Sequence, residues 1–254
     1  MVITEIAKRQ STNKVWNKVI ELVKIYESFY PNYSTPLSAS TWADHIRYFN
    51  VNEFTDWHYI DRPYNPDHLN NIPNARPNNV VNILEQIIST FKDGTDKFYS
   101  SFMCRYLLHL VGDLHQPFHN IELYNHQYPK GDKGGNLFKV WYKNEKIGLH
   151  EFWDSCGGSL NLRFRFPLTK GEIKVIELTV DSIMKTHTPI TTNKTRIKQW
   201  SMVEYETAID YGYNMLMHNR VLSQRYVDIT RLVCTEKLVI AGCRLAFILK
   251  QLFD

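Results

Sequence analysis

The sequence predicts an all-α fold, a single mostly helical domain over residues 1–254 with a small β-hairpin near 137–149. Three observations lead there. Apolar residues recur at three- and four-residue spacing in one window after another, the period of a helix with a buried face. Residues 97–115 are apolar on most sides, as in a helix at the centre of a bundle. Strand character gathers in one short place, around Lys143-Asn-Glu-Lys146.

Taken in order, residues 2–29 read as helical, with Trp16, Val19, Ile20, Val23 and Tyr26 at three-four spacing and Lys and Glu between them. Pro31 and Pro36 mark a loop. Ser38-Ala-Ser40-Thr41 offers several N-caps for a second helix carrying Trp42, Asp44 and Arg47. Residues 61–80 are rich in Pro, Asn and Asp and read as a loop. An amphipathic helix over 79–93 follows, through Val80, Val81, Ile83, Leu84, Ile87 and Ile88. The apolar helix 97–115 comes next, with Phe98, Phe102, Tyr106, Leu107, Leu110 and Val111. Residues 120–135, with Gly131, Gly134 and Gly135, read as a long polar loop. Leu137 to Trp141 and Ile147 to Leu149 then form the hairpin. Helices over 149–155, 169–186, 197–217 and 229–252 complete the chain, with a Thr-rich loop near 187–195. Residues 238–249 are apolar but too short to span a bilayer, and Arg244 interrupts them, so they read as a buried helix. The chain carries no repeat, linker or low-complexity segment.

Composition narrows the function without naming it. At 254 residues and 43% hydrophobic content, one large domain can bury a sizeable core. Aromatic residues are frequent, with 15 Tyr, 13 Phe and 6 Trp, enough to fill a core and leave some for stacking on bases. The net charge of +4 permits a polyanionic partner. No long basic run is present, which argues against affinity built on phosphate neutralisation alone. Cys104, Cys156, Cys234 and Cys243 make no CxxC pair, which argues against a cysteine zinc site and leaves one or two disulfides open. Asn32-Tyr-Ser34 and Asn193-Lys-Thr195 are glycosylation sequons. Residues 1–15 carry scattered charges and show no signal-peptide h-region.

The chemistry concentrates in His109-Leu-Val-Gly-Asp113-Leu-His-Gln-Pro-Phe-His119. His109 and Asp113 are four apart and leave one face of a helix together. Pro117 cannot continue that helix without loss of a hydrogen bond, which places His119 at or beyond its end. Leu149-His150-Glu-Phe-Trp-Asp154 repeats the His-x3-Asp spacing. A polar pair inside the most apolar helix is costly unless it is partnered or bound to a cation. Imidazole nitrogen and carboxylate oxygen together suit zinc. The plain alternative is a His–Asp hydrogen bond on a helix surface, and two such pairs beside a helix break weigh against it.

Upstream, Trp42-Ala-Asp44-His-Ile-Arg47 and Trp57-His58-Tyr59-Ile-Asp61 add further candidates. With these blocks, LLHLVGDLHQPFH, the Gly134-Gly135-Asn136 triplet and LHEFWD, the chain resembles the S1/P1 family of zinc-dependent nucleases, whose fold is phospholipase C/P1 nuclease-like. The detailed match covers about a third of the chain. The resemblance implies that Asp44, His58, His109 and Asp113 hold one buried zinc, and that His119, His150 and Asp154 hold a second. It implies that Asp113 also bridges to a third zinc and that Arg47 serves the phosphate or transition-state charge. Asp44, Arg47 and Asp113 are thus the expected catalytic residues. Tyr59, Asp61 and Asn136 match the base-binding pocket. The remaining histidines, 45, 68, 115, 126, 187 and 218, have no matching place and are expected at the surface, in the core or behind the ligands.

Departure from the family pattern lies at Met1. Members begin with Trp-x4-His, which completes the third zinc site, whereas Met1-Val-Ile-Thr-Glu-Ile-Ala resembles the stretch just after that His. The expectation is two complete zinc sites here, and an upstream segment that supplies a signal peptide and the third. The implied activity is endonucleolytic hydrolysis of single-stranded DNA and RNA, with 3′-nucleotidase activity on nucleotides. The implied protein is a monomer without a membrane span, in a secreted or lysosome-like compartment. A zinc phospholipase C-like phosphodiesterase and a non-catalytic zinc-binding relative are the competing readings.

Overall fold

A computed structural model describes residues 1–92, 96–160, 162–191, 194–217 and 219–254. The helix expected over 2–29 is two helices, α1 (Val2–Arg9) and α2 (Asn13–Lys24). Polar Gln10-Ser11-Thr12 divides them. Thr12 leaves the helical region at φ −70°, ψ 157°, and its hydroxyl accepts from the Val15 N–H, so a new helix starts with its own cap. The break turns the chain, and α1 lies on the last helix while α2 lies on the central one.

The short helices α3 (Pro36–Ala39) and α4 (Trp42–His45) follow, and a 3-10 turn, Ile46–Phe49, continues α4. Arg47 therefore sits on that turn and not on the helix itself. α5 (Val80–Lys92) and α6 (Lys97–Leu114) come next, and the Asp96 carboxylate caps α6 at the N–H groups of Phe98 and Tyr99. α6 lies at the centre, packed by α2, α3, α4 and α5 and by two later helices, α9 (Ile197–Thr207) and α10 (Gln224–Phe253). Tyr106, Leu107, Leu110 and Val111 are fully enclosed there.

Both Pro- or Gly-rich stretches expected as loops carry a two-residue strand. β1 (Pro63–Tyr64) pairs in parallel with β2 (Glu122–Leu123) and ties the two segments together. The hairpin is β3 (Lys139–Tyr142) with β4 (Glu145–Gly148), in register from Lys139↔Gly148 to Tyr142↔Glu145. Its two turn residues, Lys143 and Asn144, both have positive φ, the twist a two-residue hairpin loop needs. α7 (Leu149–Asp154) and α8 (Lys170–Thr186) complete the set, and Thr169 with Glu172 forms a capping box on α8.

The expected helix 197–217 changes pitch part-way. Past α9 the chain widens into a π-type stretch, Ala208–Tyr213, and tightens again at Asn214–Leu216. Gly212 explains the place: a Cβ there would lie 2.6 Å from the Phe118 ring, and the widened turn brings the Tyr213 hydroxyl to 2.6 Å from Asp132. α10 starts earlier than expected because the Ser223 hydroxyl caps it at Tyr226.

Among the described residues three apolar clusters result. One surrounds α6, a second joins the hairpin, α7 and the start of α10, and a third seals α1 against α8 and α10. Leu108 and Leu110, on either side of His109, belong to the first cluster, and Phe118 and Trp153, beside His119 and Asp154, belong to the second. All four cysteines are buried free thiols. Asn32 of the first sequon is exposed, and Asn193 of the second lies outside the described residues. Among the described residues no helix is long and apolar enough to cross a membrane.

Candidate metal centre

Three elements converge on the first group. α4 presents Asp44, the 3-10 turn Thr55–His58 presents His58, and α6 presents His109 and Asp113 one turn apart. The Asp113 carboxylate lies 2.9 Å from His58 Nδ1 and 3.1 Å from His109 Nε2. Asp44 lies 3.6 Å from each ring, and the rings meet at 3.1 Å. His109 Nδ1 donates to the Ser40 carbonyl at 2.7 Å, which turns Nε2 into the group, a lone pair whenever the ring is neutral.

The second group stands beside the first. α6 ends at Leu114, and the 3-10 turn Pro117–His119 carries His119 past the helix end, where Pro117 requires it. His119 Nδ1 donates to the backbone carbonyl of His58 at 2.8 Å, so a ligand candidate of one group is held by the backbone of the other. His150 and Asp154 come from α7. His150 Nδ1 donates to the Gly134 carbonyl at 2.7 Å. His150 Nε2 lies 3.2 Å from His119 Nε2 and 3.5 Å from Asp154. Gly134 has φ +57°, and a Cβ there would lie 2.7 Å from the Phe118 carbonyl oxygen, so glycine lets the chain turn there and its own carbonyl reach His150.

This donor chemistry fits a metal cation. Asp44, His58 and His109, and separately His119, His150 and Asp154, each bring their ligand atoms within 4.8 Å of one another. In neutral imidazoles whose Nδ1 protons go to carbonyls, the facing Nε2 atoms of His119 and His150 are both lone pairs and repel. In the first group, His58 has one Nδ1 proton at most for three surrounding acceptors. A divalent cation relieves both conflicts, and the carbonyls that hold the rings fix their tautomers. Without a cation, the carboxylates draw a proton onto the His109 ring in its place. Burial alone would lower the His109 pKa, but Asp113 and Asp44 outweigh it and carry it to about 9. Burial would raise Asp113, yet His109 and His119 hold it well below the usual carboxylate range.

Arg47 Nη2 lies 3.0 Å from Asp44, with both side chains about half exposed at the edge of the first group. On the side of His150 a cavity of about 590 Å³ opens, lined by Tyr59, Asp61, Asn136 and Glu122 among others. The Tyr59 hydroxyl is committed to Asp56 at 2.8 Å, which leaves the ring as its contribution. Burial, then the Glu122 carboxylate, push the Asp61 carboxyl up to about 7. Asn136 is exposed and its amide donates to the Lys133 carbonyl at 2.8 Å. A smaller cavity of about 240 Å³ lies across the centre, against His109, Asp113, His119 and Asp154.

Sequence reasoning missed several residues. Gln116 donates to Asp154 at 2.7 Å and also caps the Pro117–His119 turn. Its place inside the His-rich block was the available signal. Glu122, held by the Tyr124 hydroxyl at 2.7 Å and by the Lys133 N–H, forms a wall of the larger cavity. No pattern marked it. Among the unmatched histidines, His115 is buried, with Nδ1 on the Val111 carbonyl and Nε2 on Arg244. His45 meets the Tyr33 hydroxyl, exposed His126 meets Asp67, and His218 lies outside the described residues.

The helical scaffold carries two His/Asp groups of metal-ligand chemistry, and comparison with known proteins gives the family. The S1/P1 Nuclease family model matches residues 1–254. The chain belongs to the S1/P1 nuclease family, and with it to the hydrolases that act on phosphodiester bonds. Endonuclease 1 of Arabidopsis thaliana is 24% identical over 258 residues, covering 91% of this chain and 80% of that relative. Endonuclease 3 of the same plant is 31% identical over 77 residues, covering 30% of this chain and 24% of that relative. Endonuclease 4 is 26% identical over 131 residues, covering 46% and 42%. The match to Endonucleases 3 and 4 thus spans less than half of either.

Proposed function

We propose that this protein is a zinc-dependent endonuclease that hydrolyses single-stranded DNA and RNA and also removes 3′-phosphates from nucleotides. One observation carries the reading: His119 and His150 turn their Nε2 atoms on each other at 3.2 Å, each with its Nδ1 on a backbone carbonyl, beside a second His/Asp group. Asp44, His58, His109 and Asp113 hold one zinc in this reading, and His119, His150 and Asp154 hold another. Zinc, when bound, acidifies a coordinated water and polarises a phosphoryl oxygen.

Everything else falls to the chain's own side chains. Arg47, fixed by Asp44 at 3.0 Å, donates to a non-bridging phosphate oxygen and opposes the charge that grows there. The Tyr59 face stacks on the base next to the scissile bond, and Asp61 and Asn136 hydrogen-bond its edge. That cavity favours a nucleobase over a phospholipid head group, because an aromatic face beside a carboxyl and an amide matches a flat ring with donors on its rim. All these residues act as one unit drawn from positions 44–154.

Zinc-loaded protein incubated with single-stranded DNA and, separately, with phosphatidylcholine tests the reading. The expected result is DNA cleavage that a chelator abolishes and zinc restores. Protein that binds no zinc, or that cleaves the phospholipid and leaves DNA intact, overturns it.

A further inference from the structure

The metal centre does not end at Arg47. The turn that carries Arg47 continues into Tyr48 and Phe49, which are 82% and 56% exposed. Phe49 meets Tyr30 edge-on at 5.5 Å, Tyr30 stacks on Tyr26 at 6.3 Å, and Tyr26 contacts Phe29 and Phe98 at 6.0 and 6.5 Å. Phe29 and Phe98 are themselves 67% and 47% exposed. Five rings, from Phe49 to Phe29 and Phe98, thus lead outward from the edge of the first ligand group, while Tyr48 lies against the His45 ring at 5.6 Å. Trp42, two residues before Asp44, lies beneath them against Tyr26 and Tyr30. So much exposed aromatic surface on one face is uncommon for a soluble chain and marks an interaction site.

What lies underneath indicates the partner's charge. Arg105 of α6 is fully buried, with its guanidinium 5.4 Å from the Tyr26 ring and 5.5 Å from the Trp42 ring. Its hydrogen bonds go to the carbonyls of Tyr33 and Val23, and no carboxylate among the described residues pairs with it. Burial lowers its pKa to about 10, so it stays charged at neutral pH. An unneutralised cation behind an aromatic face favours a partner that is both flat and anionic.

We infer that this face is a stacking platform for the unpaired strand of a nucleic acid, holding bases beyond the nucleotide in the Tyr59 cavity on the Arg47 side of the centre. The inference rests on the nuclease reading above and adds the surface by which a long strand is gripped. Aromatic rings stack on any base, so such a track is sequence-tolerant, and it requires bases free of a duplex.

The test compares the parent with Phe49→Ala and with Phe29→Ala/Phe49→Ala. One measurement is the ratio of kcat/KM on a single-stranded oligonucleotide to that on a dinucleotide. The other is anisotropy binding of an uncleavable phosphorothioate oligonucleotide, which needs no turnover. Loss of one stacked base lowers the ratio and the affinity about tenfold, with more loss in the double variant. Phe49→Trp keeps both. An unchanged ratio with unchanged oligonucleotide affinity overturns the platform, even where the protein is an active nuclease. Binding to phosphatidylserine vesicles that falls in the variants while oligonucleotide binding holds overturns it in favour of a membrane surface. A parent that cleaves neither substrate but loses oligonucleotide affinity on these substitutions keeps the platform and removes the nuclease reading.

Discussion

His119 and His150 face each other through their Nε2 atoms at 3.2 Å, and each gives its Nδ1 proton to a backbone carbonyl. Two lone pairs at that distance repel unless a proton or a cation lies between them. The arrangement predicts that removal of metal destabilises the fold and that metal restores it, because an ion that binds only the folded chain stabilises it by mass action. A chelator is expected to lower the Tm, and added zinc to raise it again. His109→Ala and Asp113→Ala are each expected to lower bound zinc and Tm, since both leave a polar remainder in the enclosed centre of α6. Unchanged zinc content and Tm in both variants would reduce the pair to an ordinary helix contact.

Gln116 supplies a second expectation. Its amide holds Asp154 at 2.7 Å, and its carbonyl oxygen accepts from the Phe118 N–H at the turn that carries His119. One side chain thus orients two members of the second group. Such supporting contacts are commonly worth about 10–100-fold in metal affinity. Gln116→Ala is expected to weaken the more exposed metal by about that factor and to leave the first group filled. Competition with a fluorescent chelator resolves the two affinities, and equal weakening at both groups would contradict the assignment.

How much of this was legible in sequence follows from where each constraint lies. The paired ligand candidates were legible because helical spacing is local: His109 with Asp113, and His150 with Asp154, need only four residues of context. Pro117 likewise announced the end of α6. The break at Gln10–Thr12 was missed because apolar residues resume with helical spacing on both sides, and only the Thr12 cap separates them. The β1–β2 pairing joins Pro63–Tyr64 to Glu122–Leu123, a register between distant segments that neither one encodes alone. The carbonyls of Ser40, His58 and Gly134 that fix the histidine rings are backbone atoms, invisible to any reading of side chains. Arg105 is hidden by the same logic: an arginine in an apolar helix reads as a solvent-facing residue until two carbonyls and two rings are found around it.

Tyr59 yields a third expectation. Its hydroxyl is tied to Asp56 and its ring lines the larger cavity, only partly buried. Truncation should therefore cost more in substrate binding than in folding. Tyr59→Ala is expected to raise KM on a short oligonucleotide by about tenfold, the loss of one base stack. Tyr59→Phe, which keeps the ring and drops the Asp56 hydrogen bond, should stay close to the parent in KM. A large fall in Tm with KM unchanged would assign Tyr59 to the core.

Asp61 couples the same cavity to pH. Burial, then the neighbouring Glu122 carboxylate, raise its pKa from the ordinary 3.8 to about 7. The folded state therefore holds this proton more tightly than the unfolded chain does. The sign follows from linkage: the stabilising contribution is full below the unfolded value and is lost as pH rises through about 7. Above that pH, folding must carry a buried ionised carboxyl facing a second one. Asp61→Asn removes the ionisation and keeps the shape. Its Tm is expected to exceed the parent's by a margin that widens as pH rises from the ordinary 3.8 to about 7 and levels off above it. The same substitution replaces a carboxyl that can accept two N–H bonds from a base edge with an amide that offers one acceptor, so oligonucleotide affinity should fall. Stability gained and binding lost together would mark Asp61 as a group kept for its ligand at a cost to the fold. Thermal melts of both proteins across this pH range, each paired with an affinity measurement, decide it, and a Tm difference that stays flat with pH would refute the raised carboxyl.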